Sequence, residues 1–417
     1  MLSKVFVACT AVAASNALTA EHDKCFSEQY KKHGYNLPAD ELAGFYKNYR
    51  RAMNKTVQEK SLLGASLDNY AMETACQDVF QESRPAILSS TVETVNSRNV
   101  GWEAERSPRF DQWSIQAAKS LMGTVVGEGA YRLPLKEEES SELLMASDLP
   151  KNFDAREKWP ECPMIGHIRD QAECGSCWAF ASTEALNDRM CIASKGKFTT
   201  LLSVQDTTSC CNGLSCFSFG CNGGQPSLAW RWFVEKGVVT GGDYDDAGKG
   251  ETCWPYELPM CSHHSESELP PCGETRPTPS CRSSCSEEEF GSEFKADKRR
   301  ATKAYSIGSV SEIKKELVNN GPVTAAFTVY EDFLTYKGGV YHHTSGGALG
   351  GHAVKIIGYG TDEKTGYDYW LIANSWNESW GAKGLFKIKI GDCGIDSQIS
   401  AGRVEISETS PVEAFEL

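Results

Sequence analysis

Cysteine placement most narrows what this chain can fold into: of its 17 cysteines, 13 fall between Cys162 and Cys285. Such density belongs to a chain that folds where disulfides form and persist. An odd total leaves at least one thiol unpaired or removed. The start of the chain supplies a route to that compartment. Lys4, the apolar run from Val5 to Ala14 and the small residues Ser15, Ala17 and Ala20 follow one another as in a secretory leader, placed here at 1–20. Cys9 leaves with it, and an even set remains. The run is shorter than the ~20 residues that span a bilayer, and no later segment qualifies, so no membrane span is expected.

A net charge of −14 argues against nucleic acid or an anionic membrane as the main partner. With 417 residues there is room for one large domain and a good deal more. Leu42, Phe45, Tyr46, Tyr49, Met53 and Val57 recur at three- and four-residue steps and predict an amphipathic helix, with Asp40 as its cap. A second helix is expected near Leu67 to Phe80, and Cys25 and Cys76 are suited to tie this region together. The charge run KEEESSE, Lys136 to Glu142, reads as a solvated linker open to proteolytic nicking. It puts a boundary near Ser147–Lys151: a precursor segment over 21–148, a main domain over 149–402 and a tail over 403–417.

The main domain has two textures. A helical run starts at Cys177 and is followed by cysteine-rich loops. From Gly321 the texture is β, with strands expected over 323–330, 351–360, 367–376 and 384–390. This predicts an α+β fold, a helical half and a sheet half, with a cleft between them as the ligand site.

Chemistry concentrates in QAECGSCWAF, Gln171 to Phe180. A thiol is a strong nucleophile only as thiolate, and the start of a helix favours that charge at Cys177. A thiolate needs a base within hydrogen-bond reach. Of the downstream histidines, His352 in GGHAV sits at the entry to a strand, where a side chain is rigidly aimed. Asn374, in ANSW at the end of the next strand, can accept from the imidazole N–H and set its tautomer. Trp376 and Trp380 can shield that bond. The Gln171 amide can donate to a developing oxyanion beside the Cys177 N–H.

These motifs, with CNGG (221–224) and NSWNESWG (374–381), stand in the order found in papain-like cysteine proteases, and the stretch from Leu149 to Gly402 resembles their cathepsin B-like branch. The resemblance implies the papain-like fold, with a β-barrel-like sheet half and a helical propeptide in front. It implies Cys177, His352, Asn374 and Gln171 as catalytic residues. Substrate is expected against Gly223, Gly224 and Trp376, with Pro226, Ala326, Ala353 and Gln398 around the side chain two before the scissile bond. The segment VNSRNVGWEAE (95–105) resembles the matching propeptide, so 86–148 is expected to run through the cleft as an intramolecular inhibitor. Residues 21–85 have no counterpart and read as a helical extension, either a plain spacer or an extra inhibitory or targeting module. CSHHSESELPPC, 261–272, corresponds to the occluding loop, with His264 placed to bind a substrate's C-terminal carboxylate and His263 to tie the loop to Asp170. Such a loop turns an endopeptidase into an enzyme that also removes C-terminal dipeptides. Six bridges are implied: 162–191, 174–221, 210–281, 211–216, 253–285 and 261–272. Cys393 is left as a free, buried filler.

Three departures carry weight. The Arg–Asp pair that tethers the loop in this family is replaced by Leu269 and Ser379, which predicts a looser loop and more endopeptidase activity. The Glu common at the base of the side-chain pocket is Gln398 here, which predicts apolar side chains over Arg. The precursor segment is about twice the usual length. Asn54 and Asn377 stand in glycosylation sequences. A zinc site in the Cys/His cluster is the rival for 261–272, and a catalytically silent binding protein is the rival for the whole. Partners are expected to be protein and peptide substrates, acting on a monomer in the secretory route, in a lysosome-like vesicle or outside the cell. No cofactor is expected.

Overall fold

The computed structural model describes residues 20–62, 69–137, 149–260 and 275–405. Its chain divides into two units, one of Met1–Leu88 with Gln112–Ala118, the other of Ser89–Asp111 with Lys119–Leu417.

The first unit is helical: 20–32, Ala39–Leu62 and Asn69–Ser83. Phe45, Tyr49 and Met53, spaced by four, point inward and are completely buried with Phe80. Phe26 packs on Phe45 and Phe80 at 5.0 and 5.4 Å between ring centroids, so much of this small core is aromatic. The Leu42 N–H bonds the Pro38 carbonyl, so the helix starts two residues earlier than a cap at Asp40 would put it. Asp40 instead lies in the first turn, where a carboxylate complements the helix dipole. Cys25 and Cys76 are bridged.

Among the described residues of the second unit, nine strands form one sheet: β1 Trp102–Ala104, β2 Phe153–Asp154, β3 Lys303–Ile307, β4 Val323–Tyr330, β5 Tyr336–Tyr341, β6 Ala348–Thr361, β7 Asp368–Ala373, β8 Leu385–Lys389 and β9 Ile399–Arg403. Their order is β1-β5-β8-β7-β6-β4-β9-β3, and β2 pairs with β6. The β4 and β6 runs are buried along nearly their whole length, which accounts for their unbroken apolar character. Against them lies the helix Cys177–Ala193, buried from Cys177 through Cys191 and so without the polar face of a surface helix. Where charge enters this interface it is neutralised locally: Lys355 of β6 meets Asp188 at 2.9 Å and Glu184 at 3.6 Å. A second helix, Pro226–Glu235, begins with its proline at the first position, where no N–H is missed.

The described bridges in this unit are Cys162–Cys191, Cys174–Cys221, Cys210–Cys281, Cys211–Cys216 and Cys253–Cys285. Cys261 and Cys272, with the whole segment 261–272, lie outside the described residues. Cys177 and Cys393 are free.

Both edges of the sheet are covered by residues that precede Leu149. On one edge β1 pairs antiparallel with β5, Trp102 opposite Gly339. On the other, Pro134 and Lys136 exchange backbone hydrogen bonds with Ser306 of β3. Lys136 adds an ammonium 2.8 Å from Glu316, a buried carboxylate that Arg189 and Lys136 hold down at about 2.

Candidate active site

Cys177 occupies the first position of its helix, and its side chain is completely buried. The Ala353 side chain packs against it, which places the thiol beside the strand that carries His352. Around the sulfur are the Thr124 hydroxyl at 3.3 Å and the backbone N–H groups of Ala353, Gly123 and Trp178. These donors favour the thiolate, but burial outweighs them and pushes the thiol up.

His352 is opposite Phe327 in the β4–β6 pairing, so its ring is aimed by the sheet rather than by a loop. Its Nε2 lies 2.8 Å from the Asn374 Oδ1. The same oxygen accepts the Ser375 N–H at 2.9 Å, which fixes the orientation of the amide. An acceptor at Nε2 assigns the proton to that nitrogen, leaving Nδ1 as the basic one. Nδ1 makes no well-formed hydrogen bond. Trp376 covers the imidazole at 4.6 Å between centroids and is itself backed by Trp380 at 5.0 Å. Burial lowers His352 to about 4, only partly offset by Asn374 and the nearby Leu121 carbonyl. Between mild acid and neutrality, then, both the thiol and the imidazole of this form are uncharged.

Gln171 is clamped. Its N–H bonds the Ser375 carbonyl at 3.0 Å, and its Oε1 accepts the Ser375 hydroxyl at 2.8 Å. That leaves Nε2 to donate, to the Cys174 carbonyl at 2.7 Å and the Leu121 carbonyl at 3.1 Å. The second acceptor belongs to the segment that fills the cleft.

This segment is bonded to both walls. The Gly224 N–H donates to the Gly123 carbonyl at 2.8 Å on the helical side. On the sheet side the Thr124 N–H donates to the Gly351 carbonyl at 3.1 Å. Gln398 reaches the segment one residue further on, its Nε2 3.1 Å from the Val125 oxygen. Gly123 lies so close to the loop before Cys177 that a Cβ there would overlap the Gly175 carbonyl. Gly351 is crowded in the same way by Thr124 and Val126.

The structure gathers Ala326, Ala353 and Gln398 on one side. Ala326 is opposite Ala353, and its N–H bonds the Gln398 carbonyl at 3.2 Å. Gly223 and Gly224 face Gly123 from the other side, Gly223 lying directly against it, while Pro226 is the buried first residue of the helix that follows. His263, His264 and Leu269 lie outside the described residues, and Ser379 is exposed. Asp170 is engaged by Arg109, which precedes Leu149 in the chain. The completely buried Arg109 guanidinium lies 3.5 Å from its carboxylate and donates to the Ala172 carbonyl at 3.2 Å. Phe110 follows, edge-on to Trp376 at 5.2 Å.

Arg109, Leu121, Thr124, Tyr256 and Ser375 all touch this site and were not read from the chain. Ser375 alone carried a usable signal, being adjacent to Asn374. Asn377, in one glycosylation sequence, has its amide nitrogen 3.2 Å from the Met260 sulfur, whereas Asn54 is exposed on its helix.

Residues 149–403 match the profile of the papain family cysteine proteases. Cathepsin B-like cysteine proteinase 5 of Caenorhabditis elegans is 47% identical over 278 residues, 65% of this chain and 79% of that protein. A cathepsin B-like cysteine proteinase of Schistosoma japonicum is 41% identical over 311 residues, 74% of this chain and 87% of its own length. Among solved structures, proCathepsin B S9 from Trypanosoma congolense superposes with a TM-score of 0.64 at 32% identity, covering 77% of this chain and all (100%) of that one. A stem bromelain precursor shares the fold at 20% identity, with a TM-score of 0.54 and 93% of this chain covered.

Proposed function

For a chain that belongs to the papain family of cysteine proteases, on its cathepsin B-like branch, we propose a zymogen whose matured form cleaves peptide bonds through Cys177. The observation that carries this reading is the His352–Asn374 pair beside the helix that begins at Cys177, with Nδ1 left as the basic nitrogen. When solvent reaches the cleft, the desolvation that keeps both groups neutral is lifted. The Cys177 proton then passes to His352. The thiolate attacks the substrate carbonyl carbon, and the oxygen takes the electron pair. Gln171 Nε2–H and the Cys177 N–H stabilise that oxyanion. The imidazolium protonates the leaving amine, the C–N bond breaks and a thioester remains. His352 then takes a proton from water, the hydroxide displaces the thiolate, and the acid is released.

The precursor segment is the inhibitor in this account. It puts its own carbonyl on Gln171 and a hydroxyl on the sulfur, and it keeps both reacting groups in a dry environment. The leader 1–20, the segment 21–148 and the peptidase domain 149–402 are the corresponding parts, cleaved apart in an acidic vesicle or after secretion. The charge run ending at Glu142 is the favoured place for nicking. The 261–272 loop adds removal of C-terminal dipeptides, weakened by Leu269 and Ser379, so endopeptidase cleavage dominates. In the pocket, Gln398 supports apolar side chains over Arg.

Incubation of the purified precursor at pH 5, as the parent and as Cys177→Ala, tests the reading. The parent should shorten and gain peptidase activity, while the variant, shortened by added mature enzyme and then purified away from it, should be inactive. Normal activity in that variant would end the proposal.

A further inference from the structure

The loop Gln171–Ser176 carries both proposed oxyanion donors, the Gln171 side chain at one end and the Cys177 N–H just past the other. Ser375 fixes the Gln171 side chain, but the loop's two ends are joined elsewhere, on a single phenol. The Tyr256 hydroxyl donates to the Gln171 carbonyl at 2.9 Å and lies 3.2 Å from the Ser176 Oγ, which must therefore be the donor to it. All three side chains are buried. Tyr256 is itself a rigid post. Its ring meets Phe180 edge-on at 4.9 Å, its N–H bonds the Gly242 carbonyl at 3.1 Å, and the next N–H, of Glu257, bonds the Gln205 Oε1 at 2.9 Å. The Cys253–Cys285 bridge closes the stretch three residues upstream. Ser176 thus has its hydroxyl committed to Tyr256 and does not cap its own helix.

We propose that Tyr256 is a positioning residue that sets the distance between the two oxyanion donors through a Ser176–Tyr256–Gln171 hydrogen-bond relay. The inference rests on Gln171 being an oxyanion donor. Removing the phenol oxygen leaves the Ser176 hydroxyl and the Gln171 carbonyl buried without their partner, and the loop relaxes to find new ones. The relaxation costs oxyanion stabilisation, which exists only in the transition state, and leaves ground-state binding alone.

Tyr256→Phe keeps the ring and its packing. In the matured enzyme kcat should fall about tenfold with KM within about twofold, and a peptidyl aldehyde, whose adduct carries an oxyanion, should bind about tenfold more weakly. Alkylation of Cys177 by iodoacetamide forms no oxyanion, so its rate and pH profile should not change. In a Gln171→Ala background the same substitution should cost less than about threefold in kcat, because the donor it positions is gone. Ser176→Ala, which cuts the relay at the other end, should show the same pattern at smaller size. Unchanged kcat in Tyr256→Phe or Ser176→Ala, or alkylation falling in step with turnover, would overturn the relay. If Gln171→Ala itself left kcat intact, the oxyanion reading of Gln171 would fail instead.

Discussion

Latency should depend on a single hydrogen atom at position 123. In Gly123→Ala the added methyl would overlap the Gly175 carbonyl and approach the Gly175 Cα to 2.8 Å. Neither side can yield cheaply. Gly175 is held by its N–H bond to the Cys221 carbonyl at 2.9 Å and by the adjoining Cys174–Cys221 bridge. The precursor segment must therefore lift. Lifting loses the Gly224–Gly123 and Thr124–Gly351 hydrogen bonds, at about 1 kcal/mol each. The residual overlap adds about 1–3 kcal/mol. A total near 3–5 kcal/mol raises the population of the open cleft by about 150- to 5000-fold. The assay is the rate at which iodoacetamide labels Cys177 in the intact precursor, since labelling requires opening. Position 123 lies within the segment proposed to be removed, so the matured parent and variant should be indistinguishable in kcat/KM. A labelling rate within about threefold of the parent would refute the claim that backbone contact at Gly123 seals the thiol.

Three further outcomes follow from the same contacts. Arg109→Ala leaves the buried Asp170 without its cation, a loss of about 3–5 kcal/mol for a buried pair, and should speed maturation at pH 5 at least tenfold, measured as conversion on a gel. In the precursor, the thiol raised by burial and the imidazole lowered to about 4 should make Cys177 labelling climb only in alkali; in the matured enzyme, with solvent admitted, labelling should persist into mild acid. Gln398→Glu should raise cleavage of an Arg-Arg reporter relative to Phe-Arg by about tenfold or more, and equal ratios before and after would remove Gln398 from the pocket.

The parts legible in the chain were those whose chemistry is local. Cys177 at a helix start and Asn374 at a strand end each carry a short motif that states residue type and backbone setting together; GGHAV marks His352 as well, but β6 begins at Ala348, so the histidine lies inside the strand and not at its entry. The β4 run was read as 323–330, the span Val323–Tyr330 that the structure gives, because its burial is continuous and its composition β-branched. The contacts that silence the site were not legible. Arg109 and Asp170 are far apart in the chain, and an arginine in a polar stretch looks like any solvated charge until its complete burial is seen. β1 has three residues, too few for any periodicity, and exists because the β5 edge offers it partners. Tyr256 sits in a cysteine-rich loop with no pattern to mark its hydroxyl. Asp40 was misplaced by two residues because the first helical hydrogen bond is already taken by the Pro38 carbonyl.

The most direct test of the account is where a peptidyl chloromethyl ketone attaches. Matured enzyme inactivated by one equivalent should carry the whole added mass on Cys177, and prior loss of the His352 imidazole by His352→Ala should slow attachment by at least about a hundredfold in mild acid. Full inactivation with the mass on Cys393 or on any other residue, or peptidase activity surviving complete modification of Cys177, would contradict it.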